Sequence, residues 1–551
     1  MSPTPAAAAL PVAGRSVVAS QHGVAASSQP LAAQAAAQIL QRGGHAVDAA
    51  IAANAVQGLM EPSSNGLGGD LFAIVHAAKD DALLGVNASG WSPSGMTAEF
   101  LARKGITGEL PACGPFTVTV PGAVAGWTAL HQRFGRLPLA ADLAAAIWYA
   151  ENGFPVMEVT AGLWAGAAPV LAEDDESAAT FLVDGRPPAP GEIFRNPGLA
   201  RSLRRIAESG RRGFYEGPTA KEIVGVVRAH GGVMDLEDLA AFDAEWVEPL
   251  QITYRGWTVA ELPPNGQGIA ALLMLRMLER FPLGEWGFHS ARTLHAMIEA
   301  KKLAYADLLR YVGDPRFAVV PVQELLSDRN VATRARLIDP RRAASHVEPS
   351  NIPGITTSRD GDTIYLAVAD AEGNIVSLIQ SNYHGFGSGL TPKGCGFVLQ
   401  SRGRLFTLEP GRPNTLAGRK RPLHTIIPGF MQKDGVSIGF GIMGAWNQSQ
   451  AHAQFVADVA DFGMNIQQAL EAGRFTKATF DGLDVEIESS VPARVRDELA
   501  AFGHQLEVRP LRTANFGYGQ AVLVDRGTGV KLGASDPRHD GQAIPAPPPV
   551  P

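Results

Sequence analysis

The sequence predicts an α+β fold rather than a doubly wound sheet. Apolar helical patterns dominate its first half, strong strand alternation begins at Thr363, and helical patterns return around 450–500. Helices and strands segregated in this way pack as separate layers, whereas a doubly wound sheet would alternate them along the chain.

In chain order, the first helix starts at Pro30, whose fixed φ suits a first turn, with Ser28 as the expected cap. It runs through LAAQAAAQIL to Gly43–Gly44. A second helix begins at Ala46 in AVDAAIAANAVQGLM and is apolar on most faces, which predicts burial. EPSSNGLGGDLFAIVH then reads as a Gly-rich loop entering an apolar strand, Leu71–His76. The loop lacks the G-K-[ST] of a phosphate cradle and reads as support for a site wall. Helical patterns follow at 139–152, 219–230 and 268–281, with longer ones near 289–311 and 465–473. From Thr363, TIYLAVAD alternates, AEGN turns and IVSLIQS alternates again, which predicts a hairpin. VSIGFGIM and QAVLVDRG add strands. Residues 1–14 and the tail GQAIPAPPPVP are Pro/Ala-rich and read as loose. Between them no linker or repeat interrupts one compact unit.

Composition narrows the function classes. With 46% hydrophobic and 18% charged residues the chain reads as ordinary globular protein. A net charge of −7 gives no basic footprint, so nucleic acid is not an expected partner. Cys113 and Cys395 are the only cysteines, and neither they nor the 13 histidines fall at metal-ligand spacing, so no metal and no cofactor is expected. No apolar run is long enough to span a membrane, and the first basic residue, Arg15, follows the apolar N-terminal stretch rather than preceding it. These features predict a cytoplasmic protein without a membrane partner. Cys395, lacking a placed histidine, reads as a small buried apolar residue.

The chemistry centres on SRDGDTIYLAVADAEGN. Thr363 opens a strand directly after a polar segment. A threonine hydroxyl needs a base, and a free α-amine on the same residue would supply one if the chain were cut before it. That amine has a reference pKa of about 8, suited to a general base. Threonines also begin strands for packing reasons alone, and the local pattern leaves both readings open.

The surroundings add a resemblance. GGHAVDAAIAANAVQGLMEPSSNGLGGDLF, VPGAVAGW at 120–127, FGRLPLAADLAAAIWYAENGFPV at 134–156, FYEGPTAKEI, GGVMDLEDLAAF, ELPPNGQG, GDTIYLAVADAEGNIVSLIQSNYHGFGSG and GRKRPLHTIIP follow one another in order. From about Ala32 to about Ala521 this series resembles the gamma-glutamyltranspeptidase family of N-terminal nucleophile hydrolases. The resemblance implies a four-layer αββα sandwich. It implies autocleavage between Asp362 and Thr363 into a large chain, 1–362, and a small catalytic chain, 363–551, which remain together as a heterodimer. It implies a small-molecule amide substrate and an acyl ester on Thr363, resolved by water or an amine acceptor. The family's Gly-Gly oxyanion pair is matched by Gly444–Ala445, and its hydroxyl beside the nucleophile by Ser381.

The resemblance also shows departures. The segment that carries the family's carboxylate-binding Arg is matched by NASGWSP at 87–93, which has none. The family's Ser-Ser pair is matched by His424–Thr425, its amino-group Asn by Tyr383, and its Gln-x-x-Asp by Arg402-Gly-Arg-Leu405. A guanidinium where an ammonium is usually held would repel it. Two readings stand side by side: Arg402 or Arg404 binds a carboxylate on the acyl side, or both make surface or core ion pairs. The variant resembles the branch of transpeptidase-like proteins and cephalosporin acylases. Two functions follow from this: a glutathione hydrolase or γ-glutamyl transferase, and an acylase for a carboxylate-bearing acyl amide. A third, from another class, is an uncut binding protein that keeps only the fold.

Overall fold

The alternation read at TIYLAVAD has a physical consequence that organises the molecule: both faces of that strand are apolar, so both must be covered. In the computed structural model, which describes residues 13–350, 362–513 and 516–549, they are. Leu366 and Val368 face helices, while Tyr365, Ala367 and Ala369 face a second sheet. Fully burying side chains of the Leu and Val kind stabilises by roughly 1.5–3 kcal/mol each.

Two seven-stranded sheets stack face to face. In spatial order one sheet comprises Gln542–Pro545, Gly23–Ser27, Asp362–Asp370, Ile375–Tyr383, Asp70–Ala77, Ala82–Ala88 and Glu245–Val247. The other comprises Val18–Ser20, Lys531–Ser535, Gly519–Asp525, Val436–Ile442, Gly429–Lys433, Trp257–Glu261 and Leu250–Tyr254. Every neighbouring pair in both is antiparallel. Helices Pro30–Gln41, Ala46–Met60 and Ala123–Phe134 cover the outer face of the first sheet, and Leu139–Asn152 packs on Ala46–Met60. Gly268–Leu278, Gln448–Ala460 and Ile466–Glu471 cover the second, and Ala291–Tyr311 packs on Gly268–Leu278. Between the sheets lies an apolar layer of Val24, Phe72, Tyr365, Ile379, Phe430 and Val522. This is the αββα sandwich expected from the sequence.

The hairpin forms as read, with Asp362–Asp370 and Ile375–Tyr383 joined by the AEGN turn. Asp370 fixes the turn by accepting from the N–H groups of Glu372 and Asn374 at 3.0 Å each, and Gly373 supplies its positive φ of 90°. Two readings need correction. The first helix is capped by the Gln29 side chain, which accepts from Leu31 N at 3.0 Å. Ser28 instead donates to Glu61 beneath the sheet. The C-terminal tail is not loose throughout: Gln542–Pro545 pairs with Gly23–Ser27 as the edge strand. Proline is tolerated there because an edge strand leaves one side of its backbone unpaired. Part of the N-terminal stretch (1–12) and residues 351–361 lie outside the described residues, so of the segment before Thr363 only the backbone of Asp362 is described.

Candidate active site

The site is assembled where the hairpin ends. Asp362 pairs with Tyr383 and Ile364 with Gln380, so one residue, Thr363, stands opposite two, Ser381 and Asn382. A bulge of this kind turns a side chain away from the regular alternation. Thr363 is fully buried, and its Oγ1 accepts a hydrogen bond from Gln448 Nε2 at 2.9 Å. Gln448 opens the helix Gln448–Ala460 and is itself oriented by Ile427 N, which donates to its Oε1 at 3.0 Å.

Beside this pair runs the turn Met443–Ala445. Ile364 packs on Met443, which brings the turn against the start of the strand. Gly444 has φ 117° and ψ 47°, and Ala445 follows at φ 55°. Two successive left-handed residues end the strand ladder here, and turn backbone of this kind can present N–H groups to an anion. Among the described residues nothing accepts from the N–H of Gly444 or of Ala445. A Cβ on Gly444 would stand 3.2 Å from Gly517 Cα, and glycine suits that backbone conformation. Ala445 holds a left-handed φ without being glycine, at a strain on the order of 1 kcal/mol. The opposite face of the turn is anchored: Gln267 Nε2 donates to the carbonyls of both Ala445 and Thr425.

The wall facing this turn carries the departures seen in the sequence. Arg402 is fully buried; its Nη1 donates to Thr425 Oγ1 at 2.7 Å, and its guanidinium lies 4.6 Å from the Tyr383 ring centroid. Tyr383 has φ 79° and donates its N–H to Ser381 Oγ at 2.8 Å. His424 is engaged on both ring nitrogens. Nε2 lies 2.9 Å from Asp70 Oδ2, and Nδ1 accepts from Ile426 N at 3.3 Å. Burial, reinforced by the Arg402 charge, lowers its pKa to about 4, so it is a neutral ring that braces the wall. Arg404, two residues from Arg402, points elsewhere. Its Nη1 donates to Leu110 O at 2.7 Å, and it lines an open cleft of about 1050 Å³ with Phe406, His346, Phe480 and Asp481. Phe480 packs edge-on against Trp446, the residue after Ala445, so the cleft borders the turn.

The Gly-rich loop before Asp70 supports this wall by backbone approach. A Cβ on Gly69 would sit 2.5 Å from Ser381 O, and one on Gly68 1.9 Å from Val398 O. Asp70 then accepts from Gly90 N at 2.8 Å and Gln400 Nε2 at 2.7 Å in addition to meeting His424. Thus the structure brings Thr363, Ser381, Gly444, Ala445, Tyr383, Arg402, His424 and Thr425 into one neighbourhood and sets Arg404 apart at its mouth. Sequence reasoning missed Gln448, Gln267 and Asp70. Gln267 lies inside the quoted ELPPNGQG and Asp70 inside GGDLF, but neither carries a local signal of its partner. Cys395 is buried, its thiol pushed up to about 11 by burial, which keeps it unreactive.

Residues 32–546 match the family model described as gamma-glutamyltranspeptidase. The chain belongs to the gamma-glutamyltranspeptidase family. It is 36% identical over 519 residues to the glutathione hydrolase-like YwrD proenzyme of Bacillus subtilis (strain 168), covering 93% of this chain and 96% of that protein. It is 34% identical over 538 residues to the oxamate amidohydrolase proenzyme of Klebsiella pneumoniae, covering 95% and 98%. The crystal structure of a cephalosporin acylase from Bacillus halodurans superposes with a TM-score of 0.90 at 42% identity over 98% of each chain. As a gamma-glutamyltranspeptidase-family protein the chain is an amidohydrolase. Proenzymes of this family are processed into two-chain heterodimers and act on small amides. No helix among the described residues is long and apolar enough to cross a membrane.

Proposed function

We propose that this amidohydrolase matures by cutting itself between Asp362 and Thr363, and then uses Thr363 to hydrolyse an amide whose acyl group carries a carboxylate. The observation that carries the reading is the pairing of a buried Thr363 hydroxyl, held by Gln448, with N–H groups at Gly444 and Ala445 that no described residue engages.

In maturation, Thr363 Oγ1 attacks the Asp362 carbonyl carbon, the Asp362–Thr363 C–N bond breaks, and the Thr363 nitrogen takes a proton to become a free amine. Water then hydrolyses the resulting ester, leaving chains 1–362 and 363–551. In turnover the amine accepts the Thr363 hydroxyl proton as Oγ1 attacks the substrate carbonyl. The Gly444 and Ala445 N–H groups meet the developing oxyanion, a role worth roughly 10²–10³ in kcat per donor in other acyl-transfer enzymes. The proton passes to the leaving amine, and water or an amine acceptor resolves the acyl ester. Ser381 holds the strand end through Tyr383 N–H.

Arg402 favours the acylase reading over the γ-glutamyl one. A buried guanidinium stacked on Tyr383 and aimed at Thr425 is suited to a carboxylate and hostile to an α-ammonium. The test is acid quenching during turnover of dicarboxylic-monoacyl and γ-glutamyl anilides, followed by intact mass of the small chain. An acyl adduct on the 363–551 chain, accumulating with the dicarboxylic substrate, is expected. Turnover without any adduct on that chain would overturn the nucleophile, and preference for the γ-glutamyl anilide would overturn the substrate class.

A further inference from the structure

We infer that Asp48, His131 and Asp142, on three helices remote from Thr363, form a binding site for a zinc-class divalent cation. Asp142, in the first turn of Leu139–Asn152, is fully buried, and among the described residues no group donates a hydrogen bond to either carboxylate oxygen. A buried carboxylate in that state calls for a cation or a proton. His131 Nε2 lies 3.8 Å from Asp142 Oδ2. Asp48 is the second carboxylate, already oriented by His45 N at 2.8 Å and Arg136 N at 2.9 Å. One ligand atom from each of the three lies within 4.8 Å of the other two. Small side-chain shifts would bring each to the roughly 2.0–2.2 Å of a zinc bond. The donor set of two carboxylates and one imidazole suits zinc, whereas calcium takes six to eight oxygens.

The protons balance. A proton held by the buried Asp142 carboxyl leaves to solvent as the cation binds. His131 Nε2 meets Leu137 O at 2.8 Å as a donor. Ligation through Nε2 moves that proton to Nδ1 and releases the Leu137 carbonyl. The His131 side chain is 23% exposed and lines a surface cleft of about 480 Å³ with Thr128, Gln132 and Leu139, which provides the entry path. The cation would join the starts of two helices to the end of Ala123–Phe134, beneath the sheet that carries Thr363.

The test uses the full-length protein, stripped with chelator, dialysed against zinc and washed. Wild type is expected to retain one equivalent of zinc more than Asp142→Asn, with affinity at the lost site falling at least about 100-fold, and zinc should raise the unfolding temperature of wild type alone. The difference between the two proteins isolates this site from the other buried histidines. His131→Asn, altering a partly exposed ring, should lose the same equivalent and serves if Asp142→Asn does not fold. Equal zinc content and equal zinc response in wild type and the variants would overturn the inference and leave Asp142 a protonated carboxyl.

Discussion

Arg402 and Arg404 stand two residues apart in one short turn, yet the structure uses them in opposite ways. Arg402 is enclosed, with Thr425 on its Nη1 and Tyr383 under its plane. Arg404 reaches outward to Leu110 O and borders an open cleft. The difference teaches that the nature of the residue matters less here than the dielectric around it. A guanidinium excluded from water interacts strongly with a substrate carboxylate, while one at a cleft mouth is screened. The sequence alone left the two interchangeable.

The account of the site can be broken most severely at the turn Met443–Ala445. Gly444→Val places a branched side chain at φ 117° and against Gly517, and should reduce both self-cleavage and kcat by more than about 100-fold, the scale of a lost oxyanion donor. A variant that retained near-normal kcat would remove the turn from the mechanism. Next in size, Arg402→Gln should raise KM for a dicarboxylic-monoacyl amide by roughly 10- to 100-fold, since a hydrogen bond to a charged group is worth about 1.5–3 kcal/mol. Arg404→Gln should change the same KM by less than about threefold. Equal effects at the two positions would erase the distinction.

A stability measurement sharpens the account of the wall. The folded pKa of His424 lies near 4, below the ordinary 6.5, because burial disfavours the charged ring. Its stabilising contribution is therefore complete above pH 6.5 and is lost as pH falls through 4, because the unfolded ring takes up a proton first. The loss is about 3.5 kcal/mol at most, from about 1.4 kcal/mol per pH unit. Urea unfolding from pH 7 to 4 should show a shallower decline in His424→Asn than in wild type, and identical slopes would contradict the assignment. The smallest effect belongs to Ala445→Gly, which relieves a left-handed alanine; kcat should stay within about threefold.

Much of the fold was legible because period-2 and period-3.6 patterns are local. The hairpin from Thr363 and the buried helix from Ala46 needed nothing beyond their own residues. The edge strand Gln542–Pro545 was not legible, since its pairing with Gly23–Ser27 joins opposite ends of the chain and its prolines resemble a linker. The same limit applies at the site. Thr363 and Gly444–Ala445 stand in a recognisable series, whereas the donor to Thr363, Gln448, is set by how a helix start meets a strand start 85 residues earlier. Asp48, His131 and Asp142 lack any ligand spacing because three separate helices supply them.

The most direct test is intact mass and denaturing gel analysis of purified wild type and Thr363→Ala, with N-terminal sequencing of any fragment. The account predicts two wild-type chains, 1–362 and 363–551, the smaller beginning at Thr363, and a single uncut chain in the variant. A wild-type protein that hydrolyses amides while remaining one chain, or a variant that still cuts at that bond, would contradict it.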